Sequence, residues 1–168
     1  NAGLIVDYSA VWPDSFADHR LVVLALPGCM EETVRFLDEE VAALDAYLSG
    51  GGWLYIENDK EFYNGTATIN DLLMRLGHGM RQASDTIGTG GGYFGVMTTD
   101  ITSAALTTGI DQLGFGEASR IIPNDGTCLV RYEENCLMAF ESHGAGMVIA
   151  ASDQQFIDDH AMTEYPDA

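Results

Sequence analysis

The chain has 168 residues, a length suited to one domain, and 46% of them are hydrophobic, which excludes general disorder. Asp and Glu number 26 against 7 Lys and Arg, giving a net charge of −19, and a surface this acidic repels nucleic acid and anionic membranes. The longest apolar runs, LVVLAL (Leu21–Leu26) and MVIAA (Met147–Ala151), are strand-sized and fall well short of the roughly 18 residues that span a bilayer.

Gly3–Ala10 (GLIVDYSA) is apolar enough for a strand, which Pro13 and Asp14 break. Arg20–Leu26 is a continuous run of Leu and Val, the pattern of a strand buried on both faces, and Pro27-Gly28 ends it. In TVRFLDEEVAALDAYLSGGG, Val34, Leu37, Val41, Leu44 and Leu48 recur at helical spacing with acids on the other face. Thr33 is placed to cap that helix and Gly50 to stop it in the left-handed conformation. Trp53–Glu57 follows as a strand. Arg20–Glu57 thus reads as strand–helix–strand, a right-handed unit with parallel strands.

Thr68-Ile69-Asn70-Asp71 has the shape of a capping box, and LLMRLG supplies a short helix with a glycine stop. Arg81–Ile87 is a further candidate strand, and GTGGGYFG (88–95) a glycine-rich loop leading into a Thr-rich connection, Thr98–Thr108. From Arg120 the texture changes. RIIPN, TCLVRYE, CLMAFES and GMVIAASD are short strands separated by the turns NDG, EEN and HGAG. Asp153–His160 then begins a last short helix. No repeat or linker divides the chain, so 1–168 is expected to be a single α/β domain.

Few residue patterns carry chemistry. Gly90, Gly92 and Gly95 match G-x-G-x-x-G, but VMTTDITS is a poor helix to receive a pyrophosphate, so the loop is not read as a dinucleotide site. Cys29 sits between a strand and a helix, where a thiol can become a nucleophile, yet Glu31 and Glu32 follow and disfavour the thiolate. His19, His78, His143 and His160 form no zinc spacing, and His19 and His143 fall in expected turns where solvated histidines are ordinary. No serine lies in a G-x-S-x-G elbow. Two acidic strand ends remain: Glu57-Asn58-Asp59, and Asp153 with His160 beyond it. If their strands are neighbours they share one rim and form a candidate ligand or calcium site; the alternative is ordinary turn chemistry. Cys128 and Cys136 flank a hairpin tip and are a candidate disulfide, which favours a secreted protein; the alternative is two reduced strand cysteines. Asn64-Gly65-Thr66 is a glycosylation sequon, itself weak evidence. The acidic surface admits a solvated shell, adaptation to high salt, or cation binding. The chain starts at Asn1, so either a leader was removed or it is a piece of a longer protein.

The order LVVLALPG, a helix ending in YLSGGGWLYIEND, INDLLMRLG, LTTGIDQLGFG and HGAGMVIAASDQQFIDD resembles the class I glutamine amidotransferase-like fold, in its non-catalytic branch. The resemblance covers Arg20–Asp159 and implies a three-layer, mostly parallel sheet flanked by helices, flavodoxin-like in plan, with a strand-rich C-terminal half. It also implies a strand and helix before Gly3. Enzymes of that family carry a cysteine nucleophile just after the GG-strand, where this chain has Glu57-Asn58-Asp59, and SDQQFIDDH lacks their H-x-E pattern. The expectation is therefore a non-catalytic domain outside the cytoplasm, for a protein partner or self-assembly, without membrane insertion. Two other readings stand beside it: a hydrolase or transferase using Cys29 or a metal at the acidic strand ends, and an acidic subunit of a surface layer or filament.

Overall fold

The computed structural model describes residues 7, 9, 12, 13, 15–25, 35–57, 65–88, 95–116 and 118–153. Cys29, Asn58, Asp59 and His160 lie outside these residues, as do most of the expected N-terminal strand, most of the glycine-rich loop and the expected last helix. In chain order the elements are β1 (Leu21–Ala25), α1 (Asp38–Ser49), β2 (Trp53–Glu57), α2 (Gly65–Arg75), β3 (Arg81–Gln82), β4 (Val96–Thr98), β5 (Asp100–Ile101), a 3-10 turn at Ala105–Thr107, β6 (Leu113–Phe115), β7 (Ile121–Ile122), β8 (Thr127–Tyr132), β9 (Asn135–His143) and β10 (Gly146–Ala151).

The strand–helix–strand unit is present. β1 and β2 pair in parallel from Leu21 opposite Trp53 to Ala25 opposite Glu57, with α1 between them in sequence. β10 pairs in parallel on the other side of β2, from Met147 opposite Trp53 to Ala151 opposite Glu57. Beyond β10 the sheet turns antiparallel: β10 with β9, β9 with β7 and β8, β7 with β3, and β8 with β5. The expected flavodoxin-like, mostly parallel three-layer sheet is therefore not the fold. Only β1, β2 and β10 run parallel among the described residues. The reason is the spacing of the C-terminal strands. A two-residue turn such as Gly144-Ala145 joins only antiparallel neighbours, whereas a parallel return needs a dozen residues or more.

Both described helices share one cluster with the sheet. Val41, Leu44 and Leu48 of α1 and Ile69, Leu72 and Leu73 of α2 pack with Leu54, Ile56, Val148 and Ala150. Period-two alternation along β2 and β10 brings those four to one face. A second cluster joins Val96 and Phe115 to Leu129, Val130 and Leu137, so the β4–β6 ribbon packs on β8 and β9. The Thr-rich connection became β5 and a 3-10 turn, leaving no helix for that cluster among the described residues.

Several local boundaries differ from expectation. The left-handed residue after α1 is Gly51 (φ 105°), not Gly50 (φ −78°). Thr68 is buried inside α2, which starts at Gly65, so it is no cap. Of the expected strand Arg81–Ile87, only Arg81–Gln82 and a single bridge from Ile87 to Ala118 pair. Between them Asp85 accepts the Arg120 N–H at 2.9 Å, a side chain standing in for a ladder carbonyl.

Candidate functional site

Three local rules bring four titratable side chains together. First, α2 ends in a Schellman motif. Gly77 has φ +81°, its N–H reaches the Met74 carbonyl (3.0 Å), and the His78 N–H reaches the Leu73 carbonyl (2.9 Å). The residue after the glycine stop is thereby fixed. Second, Glu141 and His143 are two apart on β9, so they project to one face. Third, the tight turn after His143 packs on the C-terminal end of α1, where the Ala145 N–H meets the Ser49 carbonyl at 3.4 Å. That contact sets His143 beside Asp45, one turn back on the helix.

The result is a continuous hydrogen-bonded chain. Glu141 Oε2 lies 2.6 Å from His78 Nδ1. His78 Nε2 lies 3.1 Å from His143 Nδ1. His143 Nε2 lies 3.0 Å from Asp45 Oδ1. Glu141 also accepts the Gly79 N–H on both oxygens, at 3.1 and 3.2 Å. Glu141 and His78 are buried, with side-chain exposures of 8% and 4%, and burial falls from there through His143 (13%) to Asp45 (56%). The chain borders a cleft of about 590 Å³ whose walls include Leu76, Asp125 and Phe140.

A carboxylate only accepts hydrogen bonds, so Nδ1 of His78 carries its proton toward Glu141. Burial holds the His78 pKa below its usual value. The hydrogen bond and charge of Glu141 oppose that shift, and His143 and Arg81 reinforce it. All four ring nitrogens of the two histidines thus have a partner inside the protein. The arrangement orients both rings and offers no bare imidazole nitrogen to a substrate in the cleft.

Of the residues singled out from sequence, Glu57 and Asp153 do come together. Their strands are neighbours, and both are buried, at 3% and 0% exposure. Asp153 accepts the Gly116 N–H. Tyr55, two residues before Glu57 on the same strand, has its pKa raised well above the usual value by burial first and by the charges of Glu57 and Asp153 next. Both acids are buried, and the bond from the Gly116 N–H to Asp153 is a side chain folding onto backbone. Asn58, Asp59, His160 and Cys29 lie outside the described residues. Cys128 and Cys136 are joined by a disulfide between β8 and β9, with Cα atoms 5.9 Å apart. Among the described residues no group of three His, Cys, Asp or Glu is placed to hold a metal ion.

Sequence reasoning missed the histidine chain and placed His143 in a solvated turn. His78 and His143 are 65 residues apart, and no spacing rule reports such a contact. The one legible signal was E-x-H at Glu141-Ser142-His143 on a strand, which puts a carboxylate and an imidazole on one face.

No protein-family model matches the chain, and no curated protein matches it. Solved structures do share its fold. The mmIFT52 N-terminal domain superposes with a TM-score of 0.63 at 14% identity, covering 88% of this chain and 71% of that one. The cytoplasmic protein STM1381 from Salmonella typhimurium LT2 gives 0.63 at 12% identity, over 90% of this chain and 68% of that one. The exo-beta-1,4-mannosidase Op5Man5 from Opitutaceae bacterium strain TAV5 gives 0.52 at 18% identity, over 94% of this chain and 24% of the enzyme. The chain is thus a mixed α/β domain similar in fold to the mmIFT52 N-terminal domain, in place of the flavodoxin-like plan. At these identities the likeness is one of fold alone.

Proposed function

We propose that this is a non-catalytic binding or assembly domain that acts outside the cytoplasm and receives a protein partner along the β1 margin of its sheet. The observation that carries the reading is the margin itself. Among the described residues β1 pairs on one side only, with β2. Leu21 and Val23, alternate residues on one face, are 48% and 45% exposed. Trp53 lies opposite Leu21 in the register, and the Arg20 guanidinium sits 5.7 Å from its ring centre. A strand edge unpaired among the described residues, with apolar side chains beside it, is the kind of surface that a partner's strand extends.

Three further features support this reading. The histidines of the cleft have their nitrogens engaged internally, so neither imidazole is free to serve a substrate there. The disulfide suits an oxidising compartment. The net charge of −19 opposes association with an identical chain at low salt and favours a partner of basic surface.

A photo-cross-linking residue at Val23, compared with one at the exposed Glu39 of α1, tests the reading in the producing cell. Discrete protein adducts from position 23 and none from 39 are expected. An adduct of twice the 18.1 kDa chain mass would identify the partner as a second copy. Equal yields at both positions, or none at either, overturn it.

A further inference from the structure

We propose that His78 and His143 share one proton between Glu141 and Asp45, and that this proton is a pH-gated latch fastening α1 to the β9–β10 hairpin. The chain contains three hydrogen bonds: Glu141 to His78, His78 to His143, and His143 to Asp45. Each needs one N–H, because ionised carboxylates donate none. Two neutral imidazoles supply two. The chain is complete only with one proton more, taken from solvent.

Either departure from that count breaks a bond. With the extra proton gone, both carboxylates can be satisfied only if the lone pairs of His78 Nε2 and His143 Nδ1 face each other across 3.1 Å. With a second extra proton, two N–H groups face each other there. The facing nitrogens lie 3.1 Å apart, a hydrogen-bonding distance, so one proton fits between the rings. The charged groups around the pair come from every side: Asp45 on α1, Glu141 on β9, Arg81 on β3, and Asp125 in the turn before β8. Arg81 is held close by hydrogen bonds to the His78 and Met80 carbonyls, and its charge opposes the second extra proton.

The latch acts where the hairpin turn meets the end of α1, at Ala145 and Ser49, which adjoins the cleft wall at His143 and Gly144. Loss of the shared proton, or gain of another, frees that end of the helix and widens the cleft mouth.

Hydrogen exchange of the α1 amides, expressed as protection against pH, tests this in the intact chain. Protection is expected to peak where the pair holds one extra proton and to fall about tenfold on each side, the size of one net hydrogen bond. Asp45→Asn is the informative variant, since residue 45 is exposed and the change does not threaten folding. An amide can donate to His143 Nε2, so the chain completes with neutral rings and the alkaline fall disappears while the acid fall stays. Protection flat across pH in the parent, or an Asp45→Asn profile identical to the parent's, overturns the proposal.

Discussion

Gly146→Ala attacks the contact that places the histidine chain. A Cβ on residue 146 would lie 2.0 Å from the Gly52 carbonyl oxygen and 2.5 Å from that of Leu48. Both obstacles are backbone, so β10 must retreat from the end of α1 by roughly an ångström to restore an ordinary contact. Overpacking of this kind costs about 3 kcal/mol at the upper end of its usual range. The retreat also stretches the hydrogen bonds from Met147 N–H to the Gly52 carbonyl (3.3 Å) and from Ala145 N–H to the Ser49 carbonyl (3.4 Å). At roughly half to one kcal/mol each, these bring the loss to about 4 kcal/mol, or a fall in Tm of about 12 °C for a domain of this size. Gly77→Ala is the control. Nothing lies within 4 Å of its Cβ, and the substitution suffers only from φ +81°, a cost of about 1–2 kcal/mol. Urea unfolding gives both values from the midpoint, provided the slope is unchanged. A Gly146→Ala loss no larger than that of Gly77→Ala would refute the close approach of strand and helix end, and with it the placing of His143 beside Asp45.

Two other outcomes follow from the same geometry. The Cys128–Cys136 bridge closes a loop of sequence separation 8; the double change to Ser is expected to lower stability by about 2–3 kcal/mol on loop entropy, and a loss near zero in urea unfolding would show that the bridge constrains nothing. The pKa of His78 is lowered in the fold, so below its unfolded value of about 6.5 the unfolded chain binds more protons and stability falls as pH drops. Unfolding at about pH 7 and about pH 5 is therefore expected to show a smaller acid loss in His78→Gln than in the parent, and an equal loss in both would locate the acid sensitivity elsewhere.

The order of the β1–α1–β2 unit was legible because each of its signals is local, although β1, expected to be buried on both faces, has Leu21 and Val23 exposed. An apolar run, a 3.6-residue stripe from Val41 to Leu48 and a triple glycine describe it without long-range information. The triple glycine concealed which residue turns left-handed, since Gly50, Gly51 and Gly52 are equally permissive in isolation. The structure assigns the positive φ to Gly51 and packs the Tyr47 ring where a Gly52 Cβ would stand. The antiparallel C-terminal half was also written in its short turns, NDG, EEN and HGAG. The three-layer expectation erred by extending the parallel character of the first half across them. Glu57 and Asp153 were correctly placed at the ends of neighbouring strands, but their burial depends on what packs over them, which no window of sequence reports. The histidine chain was the least legible feature. It joins a helix end, a strand and a second helix whose residues are distant in sequence, and solvated and buried histidines look alike in a string of letters.

The account of the cleft rests on the claim that all four ring nitrogens of His78 and His143 are engaged within the protein. Nitrogen-15 spectra of the imidazoles in the intact chain near neutral pH test it most directly, since each ring nitrogen reports whether it carries a proton. His78 protonated at Nδ1 toward Glu141, and no nitrogen of either ring exposed to solvent, are predicted. A ring nitrogen on either histidine that is bare and open to the cleft would contradict the account and return general acid–base chemistry to this site.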